Sequence, residues 1–199
     1  MGFKVLFDGY SEFKDNIYRA NCSCVLVKGP PNVIVDTMTA WDEEKLLKAL
    51  KEESVDCKDI EYVVCTHGHS DHIGCNHLFK HAKHIVGFSV SHKDQYYTEP
   101  CFQAGEEYII SDKIKVIPTP GHTMQDVTVI LETDVGIVAI TGDLFEKFED
   151  LENDQLWKSA GSDSEELQMQ NRKKILEIAD FIVPGHGPIF KVPQIYKNS

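Results

Sequence analysis

Residues 66–74 read Thr-His-Gly-His-Ser-Asp-His-Ile-Gly and follow directly on the apolar run IEYVVC at 60–65. A short apolar run closed by a polar cluster reads as a buried strand, so His67, His69, Asp71 and His72 are presented where a strand ends. The same grammar recurs three times downstream. His122 stands in PTPGHT after the run IKVIP, Asp143 in TGD after VGIVAIT, and His186 in PGHG after DFIVP. Loops at strand ends gather on one edge of a sheet and carry binding groups. Seven imidazole or carboxylate side chains from four loops are therefore expected to converge.

Neutral imidazole and carboxylate are the nitrogen and oxygen donors of Zn, Mn and Fe sites, and a set without thiolates disfavours thiolate-selected ions. Gly68 between His67 and His69 is expected to let the backbone bend so that both rings meet one ion. Gly121, Gly142, Gly185 and Gly187 are read as permitting the turns of the other ligand loops. Three histidines at one ion and an Asp-His-His set at another leave Asp143 to bridge. Two ions about 3.5–4 Å apart can share a hydroxide at neutral pH, which assigns catalytic roles to Asp71 and Asp143 around it. His77, His81, His84 and His92 lack this context and read as solvent-facing.

Outward from these loops the chain divides into two batches of strands, each followed by a helix. The first holds FKVLF (3–7), CSCVLV (22–27), NVIVDT (32–37), a helix over 42–53 and IEYVVC; a short helix carrying Ile73, Leu78 and Phe79 follows. In the helix, Leu46, Leu47 and Leu50 share a face and Glu44 is placed to pair with Lys48. The second batch holds HIVGF, EYII, IKVIP, DVTVILET (126–133) and VGIVAITG (135–142). It continues with a helix over 164–178, capped in a Ser162-x-x-Glu165 pattern with a Leu167, Ile175, Ile178 stripe, and ends on DFIVP. The pattern predicts an α/β protein (α+β in some schemes) of two sheets packed face to face with helices outside, in one domain over 1–199.

The chain has 199 residues, 42% hydrophobic and 26% charged, with a net charge of −12. This excludes wholesale disorder and argues against tight non-specific binding to nucleic acid. No apolar stretch approaches a membrane span, the start lacks a signal-peptide layout, and Leu6 stands where a myristoylation motif wants Ser or Thr. A soluble cytoplasmic protein without membrane association is expected. The cysteines, at 22, 24, 57, 65, 75 and 101, fit no zinc-ribbon or CxxC spacing and read as free thiols.

The motif THGHSDHIG, with GHT, GD and GHG in that order downstream, resembles the metallo-β-lactamase superfamily over almost the whole chain. The resemblance implies the four-layer αββα sandwich and two divalent ions, Zn first, with Fe or Mn as alternatives. His67, His69 and His122 would hold one ion, Asp71, His72 and His186 the other, with Asp143 and water bridging. Zinc β-lactamases of the best-known subclass carry Cys at the Asp143 position, so antibiotic hydrolysis is not the expected activity. The run from Thr141 to Phe190 is most similar to a small animal branch associated with endonucleolytic processing of histone pre-mRNA 3′ ends in cytosol and nucleus. That implies an endoribonuclease with an RNA substrate. A nucleic-acid domain such as larger RNA-processing relatives insert has no room here, and nothing reads as a DNA-binding module.

Asp36, ending NVIVDT, is expected to accept an N–H from a ligand histidine and fix its tautomer. Substrate contacts are expected from the 91–105 loop, through Tyr96, Tyr97 and Phe102, and from the 144–160 loop, through Trp157. These aromatics suit stacking on bases, or packing of the loops and a homodimer contact. Arg172, Lys173, Lys174, Lys80 and Lys83 read as solvated cations rather than an RNA track. Rival activities on the same ligands are a thioesterase of glyoxalase II type, which would need a C-terminal helical domain, and a mononuclear iron dioxygenase. A non-enzymatic metal-holding scaffold is disfavoured because structural sites seldom need two adjacent ions with an open position.

Overall fold

The computed structural model describes residues 2–197. From β1 (Gly2–Phe7) the chain makes a separate hairpin, β2 (Tyr10–Lys14) and β3 (Ile17–Asn21), then enters β4 (Cys24–Lys28) and β5 (Val33–Val35). Helix α1 (Glu43–Glu52) leads to β6 (Tyr62–Cys65), the one-turn α2 (Ser70–Ile73), and β7 (Lys83–Val86), β8 (Ser89–His92) and β9 (Gln95–Tyr97). The second half holds β10 (Tyr108–Ser111), β11 (Ile114–Pro118), β12 (Val127–Thr133) and β13 (Gly136–Gly142). It ends with α3 (Asp154–Ala160), α4 (Glu165–Ile178), β14 (Phe181–Pro184) and β15 (Phe190–Lys191).

One sheet runs β1-β4-β5-β6-β7-β8-β9 and the other β10-β11-β12-β13-β14-β15. Alternation of side chains with a period of two distributes each strand between two cores. Val25, Val27, Val33, Val35 and Val64 face Val116, Val129, Val138 and Ile140 of the opposite sheet. The intervening Leu26, Ile34 and Val63 turn outward onto Leu46 and Leu50 of α1, while Ile130, Ala139 and Ile182 turn onto Ile175 and Leu176 of α4. Strands apolar on both faces thus impose helix, sheet, sheet, helix: the αββα sandwich.

Several local expectations need correction. Residues 10–21 carry a hairpin the pattern did not signal. Its turn residues Asp15 and Asn16 both have positive φ, at 52° and 58°, the backbone that tight hairpin turns with right-handed twist require. In α1, Leu47 is exposed and Lys48 approaches Glu52 at 4.0 Å rather than Glu44. Ser164, not Ser162, caps α4 by accepting from Leu167 N. The helix buries Gln168, Arg172, Ile175 and Leu176 and leaves Ile178 exposed.

The substrate loops are corrected as well. Residues 91–105 include β9 and a helical turn that sinks Phe102 into the inter-sheet core. Residues 144–160 contain α3, whose Trp157 is 0% exposed; neither ring can receive a base. Tyr96 and Tyr97 are both exposed, and the Tyr97 ring centre lies 4.7 Å from Lys83 Nζ. Lys83 begins β7, at the sheet end opposite the His-rich segment. Arg172 is buried against Asp150, not solvated. His84 is half-buried and donates to Phe79 O.

Candidate metal centre

Strand β6 ends at Cys65, and the chain turns through His67 and His69 into α2, which raises Asp71 and His72. His122 follows β11, Asp143 follows β13, and His186 follows β14. Strands β6, β13 and β14 thus end toward the same edge of the sandwich and bring all seven predicted side chains together. Gly68 is not what bends the first loop: it has no positive φ and open space at its α-carbon. Gly185 is needed, because a Cβ there would collide with Asp143 Oδ1. Gly142 adopts φ +52°, a left-handed turn that aims Asp143 into the cluster.

The donors form two groups sharing one carboxylate. His67 Nε2 and His69 Nδ1 lie 2.8 Å apart, and His122 Nε2 lies 3.1 Å from His69 Nδ1. Asp143 Oδ2 completes this group at 3.6 Å from His67 and 3.4 Å from His122. Asp143 Oδ1 lies 3.2 Å from His72 Nε2, and His186 Nε2 stands 3.3 Å from both carboxylate oxygens. Asp71 Oδ2 sits 3.9 and 3.8 Å from those same nitrogens.

Outer hydrogen bonds decide which ring nitrogen is bare. His122 Nδ1 donates to Gly161 O at 2.8 Å, and His186 Nδ1 to Asn21 O at 3.0 Å. Carbonyl oxygens only accept, so both rings carry their proton at Nδ1 and turn a lone pair inward from Nε2. His72 Nδ1 donates to Asp36 Oδ2 at 2.9 Å, and Asp36 Oδ1 also accepts from Thr66 N at 2.7 Å. Asp36 thus holds both the ring and the start of its loop. Asp126 plays a similar part for the His122 loop, accepting from Thr123 N and Thr123 Oγ1 at 2.7 Å each.

Electrostatics sharpen the division. Burial, with neighbouring His72, pushes His67 well below the usual imidazole range, and burial also lowers His122. Burial would lower His72 and His186 too, but Asp143 outweighs it, leaving His72 well above its ordinary value and His186 at about 9. Asp143 is drawn well down: burial opposes ionisation, and His72, His186 and His67 overcome it. Buried His72 Nε2 and Asp143 Oδ1 nevertheless have no hydrogen-bond partner. Buried polar atoms left unsatisfied are costly, and an ion at this point would displace the imidazole proton and take up both atoms. The donor set fits a divalent ion.

Residues 17–112 match the profile of the Metallo-beta-lactamase superfamily. The chain is 38% identical over 192 residues to metallo-beta-lactamase domain-containing protein 1 of Xenopus laevis, covering 94% of this chain and 80% of that one. This chain belongs to the metallo-beta-lactamase superfamily. The mouse protein of the same name is also 38% identical, over 83% of this chain and 62% of its own length, so the chain spans less than two thirds of that relative. A solved N-acyl homoserine lactone hydrolase, with product at its catalytic metal centre, superposes with a TM-score of 0.66 over 92% of this chain and 91% of that one, at 18% identity. That likeness shows the fold. As a superfamily member the chain is a metallo-hydrolase of this fold with a His/Asp cluster suited to divalent ions, and no described helix is long and apolar enough to cross a membrane.

A cavity of about 320 Å³ opens over the cluster. Ser11, Tyr18 and Ala20 of the hairpin form one wall, Ser159 and Ala160 at the end of α3 another, and no Lys or Arg among the described residues lines it. Glu146, three residues after Asp143, also lines the cavity. Its acidic surroundings in FEKFEDLENDQ gave no reason to single it out.

Asp36→Asn keeps the shape of the residue that orients His72 but weakens its acceptance of the Nδ1 proton. We expect affinity for the ion at the His72 group to fall about 10- to 100-fold, the usual cost of an outer-shell change, with the His67 group retained. Metal titration followed by elemental analysis checks this; unchanged affinity would show that Thr66 and packing alone fix the ring.

Proposed function

We propose that the chain is a two-metal hydrolase that cleaves phosphodiester bonds in RNA, acting on histone pre-mRNA 3′ ends in cytosol and nucleus. The observation that carries the two-metal part is Asp143, whose Oδ2 faces His67 and His122, whose Oδ1 faces His72, and whose two oxygens both lie 3.3 Å from His186 Nε2. His67, His69, His122 and Asp143 would hold one ion, and Asp71, His72, His186 and Asp143 the other. When bound, such ions supply Lewis acidity and lower the pKa of water between them. The chain's own part is to fix that site. Asp36, Gly161 O and Asn21 O set the tautomers, and the hairpin and α3 limit how substrate approaches. The RNA part rests on the sequence resemblance. Phe13 and Tyr18, with ring centroids 4.5 Å apart on the exposed hairpin beside the cavity, offer faces on which bases could stack.

A second reading, hydrolysis of an uncharged thioester or ester, is favoured by one feature: no Lys or Arg among the described residues lines the cavity to meet a phosphate. Incubating metal-loaded protein with labelled histone pre-mRNA and with a thioester panel separates the two. RNA cleavage lost about a hundredfold or more in His69→Ala supports the first. Untouched RNA beside a thioester consumed by the wild type and not by the variant would replace it.

A further inference from the structure

Glu146 is 5% exposed, yet its carboxylate makes no hydrogen bond among the described residues. Its Oε2 points at His186 Nε2, 3.9 Å away. Burial opposes its ionised form together with Asp143, which belongs to the cluster, and Asp150, whose Oδ2 accepts from Glu146 N at 2.7 Å, while His186 and His72 favour it. Arg172, the buried cation close by, is engaged with Asp150 and with the carbonyls of Leu144 and Asp150. A largely buried acid on the cavity wall, with no hydrogen-bond donor on its oxygens and no Lys or Arg among the described residues free to pair with it, is a donor that an ion can use. Ligand atoms of Asp143, Glu146 and His186 all lie within 4.8 Å of one another. A single ion can span that separation after a small side-chain shift.

We propose that Glu146 is an additional ligand of the ion held by Asp71, His72, His186 and Asp143, making that position oxygen-rich. This rests on the two-ion reading above but concerns only ion binding. With Glu146 the position offers three carboxylates and two imidazoles. A four-coordinate Zn²⁺ leaves at least one donor unused, whereas Mn²⁺ accepts more ligands and favours oxygen. Glu146 therefore selects for ions of higher coordination number at this position and leaves the three-histidine position untouched.

The test is Mn²⁺ and Zn²⁺ titration of metal-free wild type and Glu146→Gln, counting ions per chain without substrate. The wild type should take up two Mn²⁺. The variant should keep the first and bind the second about 10- to 100-fold more weakly, with a smaller loss for Zn²⁺. Equal Mn²⁺ affinity in the variant, or a single Mn²⁺ site in the wild type, would overturn the proposal. A measurement on the wild type alone covers a variant that does not fold. The second equivalent of Co²⁺ should give the weak visible absorption of a five- or six-coordinate ion, and a strong four-coordinate band would equally overturn it. Because no substrate is present, a failed RNA assay leaves this result standing, and the reverse also holds.

Discussion

Asp143→Ala is expected to abolish hydrolysis, by about a thousandfold or more, and to halve the metal bound at saturating wild-type concentrations. The size follows from what the residue joins. Its Oδ2 closes the His67, His69, His122 group and its Oδ1 faces His72 and His186, so one truncation removes a ligand from both groups. Lewis-acid stabilisation is worth several kcal/mol of barrier, and each 1.36 kcal/mol is tenfold in rate. The three histidines survive and should retain one ion. The His72 position loses the acid it shares, along with the negative charge that gathers its imidazoles. Cα-level structure should be preserved, since alanine fits beside Gly185 where the wild-type carboxylate already packs. Elemental analysis beside turnover gives two readings. Full activity with two ions retained would remove Asp143 from the centre of the scheme.

On the proposed two-ion reading, retention of the second ion should also depend on acidity. Without an ion His186 is pushed up to about 9 and His72 is raised well above its ordinary value, both by Asp143 against burial. A ligand imidazole must shed its proton, so cation uptake competes with protonation and weakens as pH falls. His67 and His122 are lowered by burial and are already neutral near pH 7, which makes the three-histidine position the less acid-sensitive of the two.

The convergence of the seven side chains was legible because its signal is local: each residue stands where an apolar run stops, and a strand buried on both faces is the easiest element to read. Asp36 was legible for the same reason. What failed was information that exists only once the layers meet. Glu146 and Asp150 sit in a run crowded with acids, and only the packing of α3 and α4 shows that these two are buried while Glu149, Glu152 and Asp154 are exposed. Trp157 looks like a loop aromatic until α3 lays it over Arg172. The buried face of α4 carries Gln168 and Arg172 at i and i+4, a polar stripe that hydrophobic periodicity counts as solvent-facing. The hairpin of residues 10–21 escaped because it is mostly exposed and has no apolar alternation; Asp15-Asn16 was its one turn signal.

That polar stripe carries the largest stability effect. Arg172→Ala should cost about 3–5 kcal/mol, the usual result of stripping one partner from a buried ion pair. At roughly 2–4 °C per kcal/mol for a domain of this size, that is a loss of about 10 °C in Tm. Arg172 is 4% exposed. It donates to Leu144 O at 2.8 Å and Asp150 O at 3.1 Å, with Asp150 Oδ2 at 3.5 Å. Its guanidinium lies 4.1 Å from the Phe145 ring centre and 5.1 Å from that of Trp157. Truncation would strand the fully buried Asp150 carboxylate and two carbonyls, and open a void between aromatic rings. Lysine should not rescue it, because one ammonium cannot serve both carbonyls and the ring stack. The loop concerned joins Asp143 to Asp150, and Gln168 of the same helix donates to Asp143 O. Second-ion affinity should therefore weaken even below the new melting point. Arg172→Met combined with Asp150→Asn removes the stranded charge while Asn can still accept from Glu146 N, and it should regain part of the lost stability. A shift under 2 °C in Arg172→Ala would mean that water reaches Asp150 and that the ion pair does not hold the ligand loop.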